Sequence, residues 1–524
     1  MAITRRQFLK RSAASAAALS LAPRFRWLPG TSVSYASGPS DAIVVLVRQY
    51  GGNDGVNTVY PISDSGGSNQ KSKYDEFRPT LGLPSTNAGC LQRVNNGAPG
   101  STTVLSIGPN SDGSTYALHP AMGALHGLYQ SGKLAVVNGV HYPYADHSHF
   151  RSEQIWYTVD PVGSGGIGWF GSYLSKYPAL YPSTAVPGVM LESDLVPIFT
   201  PTSTGLFAFN RLSELQFPAS GNTAERLAKH DAFHDLYQES GGLNPATFPE
   251  LASLGNTGVA TLDHIDDYYQ SGASTGIVEK LLIDGSGNYD NDNPLVYSSP
   301  LNPDVNPNVA GMGLARDLKH VAAVIRSNVG ARFFHVSTGG FDTHSNQEDG
   351  FFHSFLWQEI SESIAAFYGE MNQAITLPGG YSGYLTGNLA SKVIIMTFTE
   401  FGRTIRQNAP GVTAAGTDHA SATPQFVVGG TVIGGQYGVY PLLDDTKDGP
   451  GHANIYGGFG RDNEDDLPMT YDFRDYFGTV LTRWLNVPLS DLGPGSGKIF
   501  PATPVADDLG ASYTALAPIG FLAP

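Results

Sequence analysis

The chain has 524 residues, with 30 Lys and Arg against 46 Asp and Glu, 63 Gly, 35 Pro and a single Cys. A charged fraction of 15% lies below the ~25% of ordinary domains, and 41% hydrophobic residues can fill a large core. Disordered, coiled-coil and collagen-like chains are excluded, and the glycine content predicts long connections on an α/β or β scaffold rather than a helical bundle.

The first 36 residues read as an address. Thr4-Arg5-Arg6-Gln7-Phe8-Leu9-Lys10 precedes a mildly apolar stretch from Ser12 to Ala22, and Ser34-Tyr35-Ala36 offers a small-x-small cleavage pattern. This is the pattern of a twin-arginine export signal, so the expected destination is periplasmic or secreted and the expected export partner is the twin-arginine translocase. Without those residues and their six positive charges, 24 basic side chains face 46 acidic ones, a net of −22. Nucleic-acid binding is disfavoured by that balance. No later apolar run approaches the ~20 residues needed to span a bilayer, so no stable membrane insertion is expected. Cys90 has no internal partner for a disulfide.

In chain order, Ile43-Val44-Val45-Leu46-Val47 is apolar without alternation, as a strand covered on both faces must be. Similar runs follow at Leu134–Val137, Phe333–Val336, Val393–Met396 and Phe426–Val428, each beside a helical pattern. Leu356, Ile360, Ile364, Phe367 and Met371 form one helical stripe. Phe473, Tyr476, Phe477, Val480, Leu481, Trp484 and Leu485 form another, with Thr470 or Asp472 available as N-cap. Alternating β and α predict an α/β fold with a largely parallel sheet. The strand-like runs are dispersed, so residues 37–524 are expected to form one domain with a loop-rich insertion at about 195–310.

Three motifs inside that insertion lack the context their chemistry needs. Gly272-Ala273-Ser274-Thr275-Gly276 follows a polar helical pattern, not the buried strand of a nucleophile elbow. His230 and His234 flank Asp231 where zinc proteases need the longer Glu. Asp284, Ser286, Asn288 and Asp290 alternate as in a calcium loop, but Tyr289 and Leu295 stand at positions that need Gly and Glu.

The chemistry gathers at strand ends. The first strand runs into Gly51-Gly52-Asn53-Asp54-Gly55, placing a carboxylate where open α/β sheets assemble their sites. The third run ends in Gly340-Phe341-Asp342-Thr343-His344, whose acid and imidazole, two apart in extended chain, project to one side. The fourth ends in Thr399-Glu400-Phe401-Gly402-Arg403-Thr404, and Gly416-Thr417-Asp418-His419 precedes the fifth. Adjacent residues of an extended chain face opposite ways, so one of Asp418 and His419 is expected to stand behind the site unless the loop bends. Mixed Asp and His donors suit zinc, manganese or iron. Ser148, at the predicted start of a helix running through Trp156, would lie in positive backbone potential, with Arg151 one turn on.

Taken together, Thr4–Leu9, Gly51–Pro61, Ser148-His149-Phe150, Gly340–His344, Thr399–Thr404 and Gly416–His419 resemble the exported family labelled domain of unknown function 1501, which is grouped with the alkaline phosphatase and sulfatase superfamily. The resemblance spans about residues 41–487, with 195–310 poorly covered. It implies an alkaline phosphatase-like three-layer α/β/α sandwich holding one or two divalent ions, with zinc, manganese or calcium the candidates. It implies metal ligands at Asp54, Asp342, His344 and His419, a nucleophile-like Ser148 and Glu400 as an acid near the metal. Neither Cys90 nor Ser148 precedes x-Pro-x-Arg, so a formylglycine sulfatase is not expected. Glu400-Phe401 replaces the superfamily's Asp-His pair, His147 stands where the family more often has Arg, and Ala420 where it often has Gly.

Two functions are expected from this pattern. The first is an exported metal-dependent hydrolase of small-molecule or glycan phosphate or sulfate esters. In it Asp54, Asp342, His344, Glu400, Asp418 and His419 surround the metal, Ser148 or water attacks, and Arg151 or Arg403 steadies the anion. The second is a non-catalytic member that binds an extracellular glycan or protein.

Overall fold

The computed structural model describes residues 41–209, 281, 295–443, 466–500 and 517–523, save for residues 66, 144, 162–166, 181–186, 193–195, 201–205, 296, 329, 378–383 and 494–497. The expected leader at 1–36 and the motifs at 230–234, 272–276 and 284–290 lie outside the described residues.

The described chain alternates strands and helices. It opens with β1 (Ile43–Gln49), α1 (Gly55–Thr58), β2 (Val59–Pro61), α2 (Gln70–Phe77), α3 (Asn87–Asn95), β3 (Leu105–Pro109), β4 (Thr115–Leu118), α4 (Gly123–Gln130) and β5 (Leu134–His141). There follow α5 (His149–Thr158), α6 (Trp169–Lys176), β6 (Gly188–Met190), β7 (Leu206–Ala208), α7 (Gly313–Arg326), β8 (Phe333–Thr338), α8 (Phe352–Met371) and β9 (Val393–Phe398). The last elements are β10 (Gly402–Arg403), β11 (His419–Ala420), β12 (Thr423–Gly429), β13 (Gly435–Tyr437), β14 (Tyr471–Asp472) and α9 (Phe473–Thr479).

Nine strands form one sheet in the order β13-β5-β12-β9-β1-β8-β6-β7, with β14 also paired to β5. All seven residues of β1 are buried at its centre. Val45 and Val47 enter one core with residues of α2, α4, α7 and α8, while Val44 and Leu46 enter the other with residues of α5, α6 and α9. Helices therefore cover both faces, which is why the strand shows an unbroken apolar run instead of alternation. β7, inside the 195–310 stretch, adds an edge strand to this sheet.

Pairing is parallel between β1 and both β8 and β9, and antiparallel where β12 meets β9 and β5. The sheet is thus mixed, though largely parallel. The reversal of β12 places the site: a strand running the other way enters the sheet at the rim where β1, β8 and β9 leave it. Residues that precede β12 consequently meet residues that follow the other strands.

The helical stripes pack as their spacing implies. Ile360, Ile364, Phe367 and Met371 of α8 are buried, with Leu356 partly so. Asp472 caps α9 by accepting from the Arg474 amide, and the helix continues into a π-helical turn at Val480–Trp484. Among the described residues no helix is long and apolar enough to cross a membrane.

Candidate metal centre

Four connections converge at the rim. After β1 the chain turns through Gly51 and Gly52 at φ of +117° and +82°. A Cβ on Gly51 would stand 2.3 Å from the Asp342 nitrogen, and one on Gly52 would stand 2.5 Å from the Phe401 ring. Only glycine allows this close approach of three loops. The turn is held by Glu400, whose Oε1 accepts from the Gly51 amide at 2.7 Å.

The loop after β8 brings Asp342 and His344 to the rim, and the short β10–β11 ladder sets Arg403 opposite His419. From the other side comes α5, whose first residue is His149. The helix is pinned to the end of β9 because Ser152 Oγ and Trp156 Nε1 both donate to the Glu400 carbonyl, the latter at 2.9 Å.

The imidazoles share one arrangement. His149 Nδ1 lies 2.8 Å from Glu400 Oε1, His344 Nδ1 lies 2.8 Å from Asp418 Oδ1, and His419 Nδ1 lies 2.8 Å from the His147 carbonyl. A neutral ring that donates from Nδ1 to such an acceptor would present its lone pair at Nε2. The three Nε2 atoms gather around Asp342: those of His344 and His419 stand 3.1 and 3.3 Å from Oδ1, and that of His149 stands 3.6 Å from Oδ2. His344 Nε2 and His419 Nε2 are only 2.9 Å apart. In that tautomer the Nε2 atoms would crowd one another and the carboxylate, and metal sites orient their imidazoles through the far nitrogen in this way. One ligand atom each from His149, Asp342 and His419 lie within 4.8 Å of one another.

The charges agree. Burial raises the Asp342 pKa, but the hydrogen bond and charge of Arg403, with His419 and His344, outweigh it and hold the carboxyl at about 2. Burial, and then the Arg403 charge, pushes His419 below the usual imidazole range, which favours its neutral form. For Asp418 burial acts upward, and hydrogen bonds from His344 and Asn408 carry it below the usual carboxylate range.

Asp342, His344 and His419 thus meet at one point, with Asp418 behind His344 and Glu400 behind His149. The other expected residues are placed differently. Asp54 is fully buried, capping α1, and is held by Arg78 through Nη1 at 2.7 Å and Nη2 at 2.9 Å and by Gln347 Nε2 at 2.5 Å. Burial would raise its pKa, and the Arg78 charge and hydrogen bonds reverse this and keep it ionised. Its carboxylate is thus engaged by Arg78 and Gln347 in the interior. Arg403 is likewise buried, with Nε on the Gly52 carbonyl at 3.0 Å, Nη1 on the Thr417 carbonyl at 2.8 Å, and Nη2 on Asp342 at 2.6 Å and on the Gly51 carbonyl. It fixes Asp342 and the glycine turn, with every nitrogen engaged by the protein. Arg151 contacts Gln154 and the Pro161 carbonyl. Ser148 is the N-cap residue of α5, and its hydroxyl makes no capping bond.

His149 is the residue sequence reasoning passed over in favour of its neighbour Ser148. The signal was the second histidine of His147-Ser148-His149, which opens the helix.

The fold and this rim define a class: an α/β protein whose strand ends assemble a cluster of histidines and carboxylates. Residues 319–449 match the family model described as "Protein of unknown function (DUF1501)". The match takes in Asp342, His344, Glu400, Arg403, Asp418 and His419 and stops short of Asp54 and His149. No curated protein and no solved structure matches the chain.

Proposed function

We propose that this chain is an exported, metal-dependent hydrolase of phosphate or sulfate esters on an alkaline phosphatase-like framework, with His149, Asp342, His344 and His419 as the residues that hold a single divalent cation. The observation that carries the reading is the common orientation of the three imidazoles, each with Nδ1 tied to an oxygen acceptor and Nε2 turned to Asp342. Histidine and carboxylate donors suit zinc or manganese better than calcium, which favours oxygen ligands throughout. When bound, such an ion polarises an ester oxygen and lowers the pKa of a nearby hydroxyl or water.

The protein's own groups supply the rest. Glu400 and Asp418 keep His149 and His344 oriented and accept their Nδ1 protons, and Arg403 keeps Asp342 ionised and in place. The amides of the first turn of α5 have no side-chain cap, so the positive end of this helix faces an anionic ester beside His149. Ser148, next to His149, is the candidate nucleophile, with water the alternative.

The test is elemental analysis of the purified chain, with turnover on phosphate and sulfate esters, before and after EDTA and with Zn2+ or Mn2+ restored. Near-stoichiometric metal and metal-dependent turnover are expected. A metal-free preparation inactive on every ester after metal addition would leave the alternative of a non-catalytic glycan- or protein-binding member. Ser148→Ala distinguishes the nucleophiles, since it abolishes turnover only if the hydroxyl attacks.

A further inference from the structure

Beneath the rim, on the α8 side of the sheet, a second group of donors has no assigned task. His119 follows β4, Glu348 lies in the loop before α8, and His353 is in the first turn of α8. His119 and His353 are fully buried and Glu348 is 5% exposed. One ligand atom from each lies within 4.8 Å of the others, and the two imidazole rings stand edge to face at 5.4 Å.

The polar atoms in this pocket are stranded. His119 Nε2, both nitrogens of His353 and Glu348 Oε1 are buried without a hydrogen-bond partner. Their remaining polar atoms are secured: Glu348 Oε2 is 2.5 Å from Arg93 Nη2, and His119 Nδ1 accepts from the Ala121 amide at 3.1 Å. Buried polar groups are otherwise almost always paired, so several of them around one gap mark a missing occupant.

We propose that His119, Glu348 and His353 form a second divalent-cation site, separate from the rim and closed to substrate, in which zinc fastens the end of β4 to the start of α8. Two imidazoles and a carboxylate are a zinc donor set. Two costs oppose it. The Ala121 amide gives up its bond when the His119 proton moves to Nδ1, one neutral hydrogen bond surrendered while one stranded atom on each of three side chains is satisfied. Arg78 and Arg93 also balance the two nearby carboxylates, Asp54 and Glu348, so the ion brings uncompensated charge into the core. Affinity, rather than geometry, is therefore the quantity to measure.

The experiment uses the full chain carrying His344→Ala and His419→Ala, which disables the rim and leaves the interior intact. After EDTA treatment, Zn2+ alone is titrated while bound metal and melting temperature are followed. About one equivalent bound with a saturable rise in melting temperature is expected. Adding Glu348→Gln, which keeps the side-chain shape, is expected to weaken binding at least about tenfold. A rim-disabled chain that binds no zinc and melts at an unchanged temperature would overturn the proposal, the gap then holding water. Failure of the rim itself reads differently, because the wild-type chain would then carry one ion, retained in the His344 and His419 variant and weakened by Glu348→Gln.

Discussion

Asp54→Asn separates two roles for the first strand's carboxylate. If Asp54 held an ion at the rim, the substitution would strip metal and leave the fold nearly untouched. The structure predicts the reverse. Both partners of the Asp54–Arg78 pair have fully buried side chains. Arg78 also donates to the Ile405 carbonyl at 2.5 Å and the Thr404 carbonyl at 2.7 Å, so the pair joins α1, α2 and the strand-end loop. Removing one member of such a pair leaves the other charge uncompensated and costs about 3–5 kcal/mol. At a urea dependence of ~3 kcal/mol per molar, a 4 kcal/mol loss moves the unfolding midpoint down by about 1.3 M. Asp54→Asn and Arg78→Met are each expected to show a shift of this size while the folded protein keeps its rim metal. Asp54→Asn combined with Arg78→Met recovers part of the loss, because no unpaired charge remains. An Asp54→Asn protein with an unmoved midpoint and no metal would refute the reasoning.

Glu400→Gln replaces the carboxylate that orients His149 with an amide, and rim metal affinity is expected to fall about 10- to 100-fold by equilibrium dialysis, with the fold retained. The EDTA-treated protein is expected to lose stability in mild acid through His353. Burial, against the Asp54 charge and with the charges of Arg78, Arg93 and Arg403, lowers the pKa of this imidazole from 6.5 to about 4. The unfolded chain thus binds this proton at higher pH than the folded one, so the contribution is complete above pH 6.5 and is lost as pH falls toward 4. Its full size is about 3 kcal/mol, read as the difference between wild type and His353→Gln in urea midpoints across that window. Equal pH slopes for the two proteins would count against it.

The central sheet was legible because β1, β5, β8, β9 and β12 are buried on both faces, and burial on both faces leaves a continuous apolar run. Their direction was not. Phe426-Val427-Val428 reads the same whichever way it runs, and only pairing with β9 and β5 makes β12 antiparallel. β6 and β7, at three residues each, are too short to register a pattern. At the rim, the Asp342 and His344 pairing and the division of labour between Asp418 and His419 follow from alternation along extended chain. The position of His149 depends on how α5 docks, which no local spacing encodes. Arg78 lies at the end of a polar helix with no motif around it, so the buried partner of Asp54 was invisible.

The reversed strand also has a bearing on how the chain matures. His149 and Glu400 are 251 positions apart, and Gly51 and Glu400 are 349 apart. Such distant partners meet only through long-range pairing, among the slower events open to a polypeptide. A nascent fragment ending before β11 would lack His419 altogether. On the proposed reading, an ion at the rim would be held only after His419, late in the chain, has joined the residues delivered by β8, β9 and α5.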